Sequence, residues 1–301
     1  MSLISLMTRQ SNSTRTPNHH YTGRTAALAT MHGKQAAISP VLEARLGLSI
    51  VVPDSLNTDT LGTFTGEVER PGNMLETAIA KARLGMQAAG TDIGIASEGS
   101  YGPHPIMPFV PLGRELIVLV DDARGITIKE VLLCETTNFH HVLAGSINGI
   151  DDFLERVRFP AHGLIVRPNR PTAAATRIVK GIQCRDSLAE TILDSAESSS
   201  DGRARIEADM RAHQNPTRMA AIADASSLLA ERVNSLCPSC ETPGFGREGS
   251  EAGLPCSWCG APTERVLREI FGCVACDYTE KKARGDGLTE ADPGQCQYCN
   301  P

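Results

Sequence analysis

GRTAALATMHGKQAAISPVLEARLGLSIVV, residues 23–52, decides the fold class. Thr25 to Thr30 is a short apolar run of strand character, Met31-His32-Gly33-Lys34 follows as a loop, and Gln35 to Leu46 has helical periodicity. Gly47 stops the helix, and Leu48 to Val52 reads as a second strand. Strand, helix and strand in so short a stretch form the unit of an α/β sheet.

The pattern continues outward. A polar segment, Asp54 to Gly72, precedes an amphipathic helix over about 73–89, whose stripe is Leu75, Ile79, Ala82, Met86 and Ala89. Ile93 to Ala96 begins the next strand. Glu115 to Asp121 and Ile126 to Glu135 flank Asp122-Ala123-Arg124-Gly125, a hairpin signal. Ile150–Val157 and Ser187–Ser195 read as helices, Gly163–Arg167 as a strand. Arg203 to Met210 alternates, with Ala204, Ile206, Ala208 and Met210 on one face and Arg205, Glu207 and Asp209 on the other. Asn215-Pro216 is an N-cap with proline at the first helical position. The expectation is a mixed sheet with flanking helices over 23–234, preceded by a disordered leader (1–22) and followed by a C-terminal module (235–301).

That module is defined by cysteine. Eight of the ten cysteines fall into four knuckles: Cys237-Pro-Ser-Cys240, Cys256-Ser-Trp-Cys259, Cys273-Val-Ala-Cys276 and Cys296-Gln-Tyr-Cys299. A CxxC turn aims two sulfurs at one point, so two knuckles complete a tetrahedral site and four match two structural Zn²⁺. A disulfide framework would need an oxidising compartment, and Met1 to Tyr21 lacks the apolar core of a secretory signal. Ferredoxin-type iron–sulfur runs place their cysteines more closely. Spacing favours sequential sites in a double zinc-ribbon-like module, 237/240 with 256/259 and 273/276 with 296/299; an interleaved cross-brace is the alternative. Phe245, Trp258, Phe271 and Tyr278 are the expected packing residues, with an exposed recognition aromatic among them as the other option. Cys134 and Cys184 stand in apolar settings and carry no assigned chemistry.

Three polar clusters stand at strand ends or helix starts, where α/β sheets place ligands, and a fourth lies along a strand face and helix cap. In the first, Thr30, His32, Gly33 and Lys34 precede a helix, where amides and an ammonium suit phosphate or carboxylate. The second is Thr-rich, with Asp59, Gly62, Gly66, Glu67 and Arg70; Glu67 and Asp59 could hold Mg²⁺ and Arg70 clamp a phosphate. Ser97-Glu98-Gly99-Ser100 is the third, with Glu98 directly after an apolar strand as candidate metal ligand or general base. Glu207, Asp209, Arg211, His213 and Asn215 make the fourth, Arg211 and His213 being the ligand-binding candidates. No GxSxG, Walker A or GxGxxG motif occurs.

At these residues the chain resembles a bacterial family known as domain of unknown function 6671. The likeness rests on Ala29-Thr30-Met31-His32-Gly33-Lys34, Gly62-Thr63-Phe64-Thr65-Gly66-Glu67, Ala96-Ser97-Glu98-Gly99-Ser100, Asp209-Met210-Arg211-Ala212-His213 and the cysteine tail. It implies no activity. A weaker likeness runs to the inosine/xanthosine triphosphate pyrophosphatases, through Ala29-Thr30, Lys34, Glu76, Lys81-Ala82 and Glu98 in corresponding order. It implies a fold of that kind with phosphate and Mg²⁺ sites. His32 stands where that group has Asn, Lys34 comes one position early, and that group carries no zinc tail.

Bulk composition bounds the function. At 41% hydrophobic and 21% charged this is an ordinary soluble composition, and no run of 18 apolar residues exists. A cytoplasmic location is expected. The cysteine-rich tail is acidic, which argues against nucleic acid. Mg²⁺-assisted hydrolysis of a phosphorylated small molecule or nucleotide, with Glu98, Glu67 and His32 catalytic and Thr30, Lys34 and Arg70 binding, is the leading expectation. The alternative is a non-catalytic ligand-binding or adaptor protein whose zinc module docks a protein partner.

Overall fold

The computed structural model describes residues 20–54, 56, 72–172 and 177–300. All but the last three residues of the expected leader lie outside them, and so does the Thr-rich cluster with Asp59, Glu67 and Arg70.

The first sheet is mixed. It comprises β1 (Thr25–Ala29), β2 (Ser49–Val51), β3 (Ile93–Pro103), β4 (Pro111–Asp121) and β5 (Ile126–Cys134), in the order β2-β1-β3-β4-β5. β1 runs parallel to β2 and β3, and β4 pairs antiparallel with both neighbours. The parallel pairs follow from the crossover helices α1 (Gln35–Leu46) and α2 (Met74–Ala89). Both faces of the central strands are covered, which is why β1 and β4 read as continuous apolar runs. Leu28, Ile95, Ile117, Leu119 and Ile128 face α1. Ala29, Ala96, Leu116, Val118 and Val120 face Ala78, Ala82 and Met86 of α2.

Local signals fix α2 at both ends. The Asn73 side chain accepts N–H bonds from Leu75 and Glu76, and Glu76 Oε2 accepts the Asn73 N–H at 3.0 Å. Such a box is worth about 1 kcal/mol. The helix lies so close to β3 that a Cβ on Gly94 would come within 2.6 Å of the Ala82 carbonyl.

The segment 135–215 builds a second sheet. β6 (His141–Ala144), β7 (Leu164–Pro168), β8 (Val179–Ile182) and β9 (Ala204–Ala208) pair antiparallel in the order β6-β9-β7-β8. Phe153 and Leu154 of α3 (Asp151–Arg156), with Leu188 and Ile192 of α4 (Arg185–Glu197), cover its apolar face. The region expected to hold one sheet thus holds two, because β6 and β8, four residues each, complete a separate one. The chain then returns to the first lobe. In α5 (Pro216–Asn234), Ile222, Ala225, Leu229 and Val233 pack in the core that holds Ile38, Leu42 and Leu46 of α1.

The C-terminal module is a meander of β10 (Gly246–Ala252), β11 (Val266–Gly272) and β12 (Thr279–Ala283). Arg232 of α5 ties it to the first lobe, donating to Gly244 O at 3.1 Å, Arg247 O at 3.0 Å and Glu130 Oε1 at 3.2 Å, and pairing also with Glu248. Phe245 sits 6.2 Å from Phe271 and 5.8 Å from Tyr278, ring centre to ring centre, as expected of packing residues. Trp258 corrects that expectation. It is 78% exposed, since the middle residues of a knuckle point away from the sulfurs they flank.

Candidate functional site

The cysteines gather into two groups of four, Cys237, Cys240, Cys273 and Cys276, and Cys256, Cys259, Cys296 and Cys299, with the sulfurs of each within 4.8 Å of one another. The favoured sequential pairing is therefore overturned, and the knuckles interleave. The meander explains it. One strand lies in each linker between successive knuckles, so the chain crosses the module once per linker, and alternate knuckles arrive at the same end. β10 and β11 meet at Gly246↔Gly272 beside the first group and at Ala252↔Val266 towards the second.

The geometry fits zinc. Zn–S bonds of about 2.3 Å in a tetrahedron set the sulfurs about 3.8 Å apart. Here Cys237–Cys276 is 3.8 Å, Cys240–Cys273 3.6 Å, Cys256–Cys299 3.8 Å and Cys259–Cys296 3.7 Å. The N–H groups of Ser239, Ala275 and Trp258 point at the first sulfur of their knuckles at 3.3–3.4 Å. Such bonds support a thiolate's charge. Four thiolates leave no open position, so an ion held there would be structural.

A second constellation lies where the two α/β lobes meet. The loop after β1 carries His32 in the left-handed region (φ 65), followed by Gly33 (φ 72). This turns the His32 ring onto that of His213, stacked at 4.9 Å. A Cβ on Gly33 would sit 3.9 Å from that of His213. Thr30 donates to the adjacent Met31 carbonyl at 2.9 Å and so closes its own turn. Lys34 reaches back across the sheet end, its Nζ 3.0 Å from Ser97 O and 3.2 Å from Ser97 Oγ.

Around Lys34 stand ion pairs. Glu98 Oε1 holds Lys81 Nζ at 2.6 Å, both nearly sealed from solvent. Glu98 therefore does not end a strand, as the sequence suggested: β3 continues to Pro103 because β4 pairs with it throughout, and the carboxylate lies inside. Arg218 Nε meets Glu115 Oε1 at 2.6 Å, its Nη1 donates to Met210 O at 2.5 Å, and the Tyr101 hydroxyl donates to Glu115 at 2.7 Å. A Cβ on Gly99 would strike the Arg218 guanidinium at 2.3 Å. Asp209, fully buried, grips Arg211 Nη2 at 2.6 Å and accepts the Gly181 N–H at 3.1 Å.

Each of these carboxylates thus has its own cation, while Lys34 bonds only neutral oxygens among the described residues. Burial, and then the nearby Arg218 charge, hold Lys34 down at about 8. Partial desolvation of a ring that is otherwise open to solvent, and then Arg211, keep His213 below the usual imidazole value. Burial and then Glu115 push the Tyr101 hydroxyl far up, so it stays a proton donor.

Of the candidates read from sequence, His32, Lys34 and His213 come to this junction, with Arg211 locked to Asp209 beside it. Glu98 lies beneath as Lys81's partner, and Glu76 serves its own helix cap. Glu67 and Arg70 lie outside the described residues. Sequence reasoning missed Glu115, whose partner stands far away along the chain. The signal available was a glutamate opening a strand of otherwise apolar residues, which must find a cation if buried.

No described helix is long and apolar enough to cross a membrane. No curated protein and no solved structure matches the chain. A family model described as domain of unknown function (DUF6671) matches residues 81–301, from Lys81 through Glu98, Glu115, Asp209–Arg218 and all eight knuckle cysteines. Ala29–Lys34 and Gly62–Glu67 precede that match. It spans well over half of the sequence, and the chain belongs to the DUF6671 family.

Proposed function

We propose that this protein binds the phosphoryl group of a small molecule, such as a nucleotide, at the junction of its two α/β lobes and hydrolyses it. Lys34 is the anion contact. The observation that carries this reading is that, among the described residues, its part-buried ammonium is held by two Ser97 oxygens and forms no salt bridge of its own. A desolvated cation in that position gains most when an anion arrives. Loop amides before α1 add further donors.

His213, kept towards its neutral form, takes a proton from the attacking water, and His32, stacked on it, fixes the ring's orientation. Glu98 acts through Lys81 as a positioning charge, because a carboxylate already neutralised by an ammonium is a poor base. Mg²⁺, where bound, would neutralise phosphate charge, and Glu67, outside the described residues, is the carboxylate the sequence offers for it. The two zinc sites hold the C-terminal module in shape.

The test is phosphate release from a nucleotide panel with Mg²⁺ by the wild type, Lys34→Met and His213→Ala. The expected loss is roughly 100-fold or more in each variant, the range of a lost proton-transfer or charge contact. Equal rates in all three proteins would remove these residues from the function.

A further inference from the structure

We infer that the second cysteine site carries a receptor for a cationic side chain, the guanidinium or ammonium group of a basic segment on a partner protein. The two metal sites are built alike but dressed differently. At the third position of their knuckles, the first site has Ser239 and Ala275 and the second has Trp258 and Tyr298. Ser239, Ala275 and Trp258 make the same N–H bond to sulfur, so ion binding asks nothing of the side chain there. Yet Trp258 is 78% exposed and Tyr298 69%, on the rim of one and the same site. Large aromatics held in water without packing are a standing loss unless something covers them.

The charge around them selects what does. Among the described residues, a cavity of about 490 Å³ is lined by Trp258, Asp292, Pro293, Gly294, Cys299 and Asn300. It contains a carboxylate and no basic group. Asp292 Oδ1 accepts the Gly294 N–H at 2.7 Å, while Oδ2 takes no hydrogen bond within the described chain. Zn²⁺ with four thiolates carries a net charge of −2, so Cys299 adds negative potential from below. An indole wall beside a carboxylate over a dianionic centre suits a cation, which gains from the ring face and the charge together. The same field repels a phosphate backbone.

The chain has one tryptophan, so its emission reports on this cavity alone. The experiment titrates zinc-loaded full-length protein with a capped Gly/Ser peptide bearing one Arg and one Lys, with the same peptide bearing citrulline and Gln, and with oligothymidylate. The basic peptide is expected to give a saturable change that weakens with salt, and the neutral peptide to bind roughly tenfold more weakly or worse. Asp292→Asn, which keeps the Gly294 contact, is expected to weaken the basic peptide severalfold. Trp258→Ala, followed by anisotropy of a labelled peptide, is expected to abolish binding while retaining two zinc atoms. No saturation into the millimolar range, equal binding of the neutral peptide, undiminished binding by either variant, or preference for oligothymidylate would each overturn the proposal.

Discussion

Arg218 Nε lies 2.6 Å from Glu115 Oε1 although 103 residues separate the two in sequence. The pair joins the first turn of α5 to β4, and Arg218 Nη1 on the Met210 carbonyl adds the strand end of the second lobe. One guanidinium therefore fastens both lobes beside Lys34. Its side chain is 3% exposed and that of Glu115 1%.

Breaking such a pair strands a charge without water. Arg218→Met and Glu115→Gln are each expected to cost about 3–5 kcal/mol in urea unfolding. Arg218→Met combined with Glu115→Gln should cost much less than the two losses added together. Additive losses would show that the two side chains are not coupled.

Lys34 is expected to oppose stability. Its folded value, near 8, lies below the ordinary 10.5, so between those limits the folded state has released a proton that the unfolded chain still holds. Stability must then rise with pH from about 8 to 10.5, and below 8 the part-buried charge costs on the order of 2–3 kcal/mol. Lys34→Met, after the two lost Ser97 hydrogen bonds, should be stabilised by roughly 1–2 kcal/mol at neutral pH. Its unfolding midpoint should lack the alkaline rise. A destabilised Lys34→Met would show that the ammonium holds the fold together and is not kept for a ligand.

Much of this architecture was readable in the chain. The strand-loop-helix start, the apolar stripe of the 73–89 helix and the Asn215-Pro216 cap are local signals, and each produced the element expected. The knuckles were legible because metal chemistry leaves a short, rigid spacing. What was hidden depends on long-range geometry. Knuckle pairing is set by how many strands the chain crosses between them, which spacing does not encode. β6 and β8 are too short to show a period. Glu98 looked like a loop carboxylate because Gly99 follows it. In fact the glycine is there to admit the Arg218 guanidinium, a partner no local pattern announces.

His162 gives the fold an acid-sensitive point. Its Nε2 accepts the Thr217 N–H at 3.2 Å, closing an orphan donor in the first turn of α5. Burial is the main reason its value lies below the ordinary 6.5. The folded state thus binds fewer protons than the unfolded one as pH falls below 6.5. The cap's contribution is whole above that value and is lost as acid converts the acceptor to a donor. Unfolding midpoints should fall between neutral and mildly acidic pH, and fall less in His162→Gln, whose amide oxygen can accept without titrating. Parallel pH profiles would count against the cap.

The interleaved sites separate two classes of double variant. If alternate knuckles share an ion, Cys237→Ser with Cys273→Ser damages one site and leaves the other intact, whereas Cys237→Ser with Cys256→Ser damages both. Elemental analysis should then find about one zinc per chain in the first protein and close to none in the second. Sequential pairing would reverse the two results. Because the first site abuts α5 through Cys237 and the Arg232 contacts, its loss should also lower the unfolding midpoint of the whole chain. Loss of the second, by Cys256→Ser with Cys296→Ser, should loosen only the far end of the meander, read as faster amide exchange around Ala252 and Val266 than around Gly246 and Gly272.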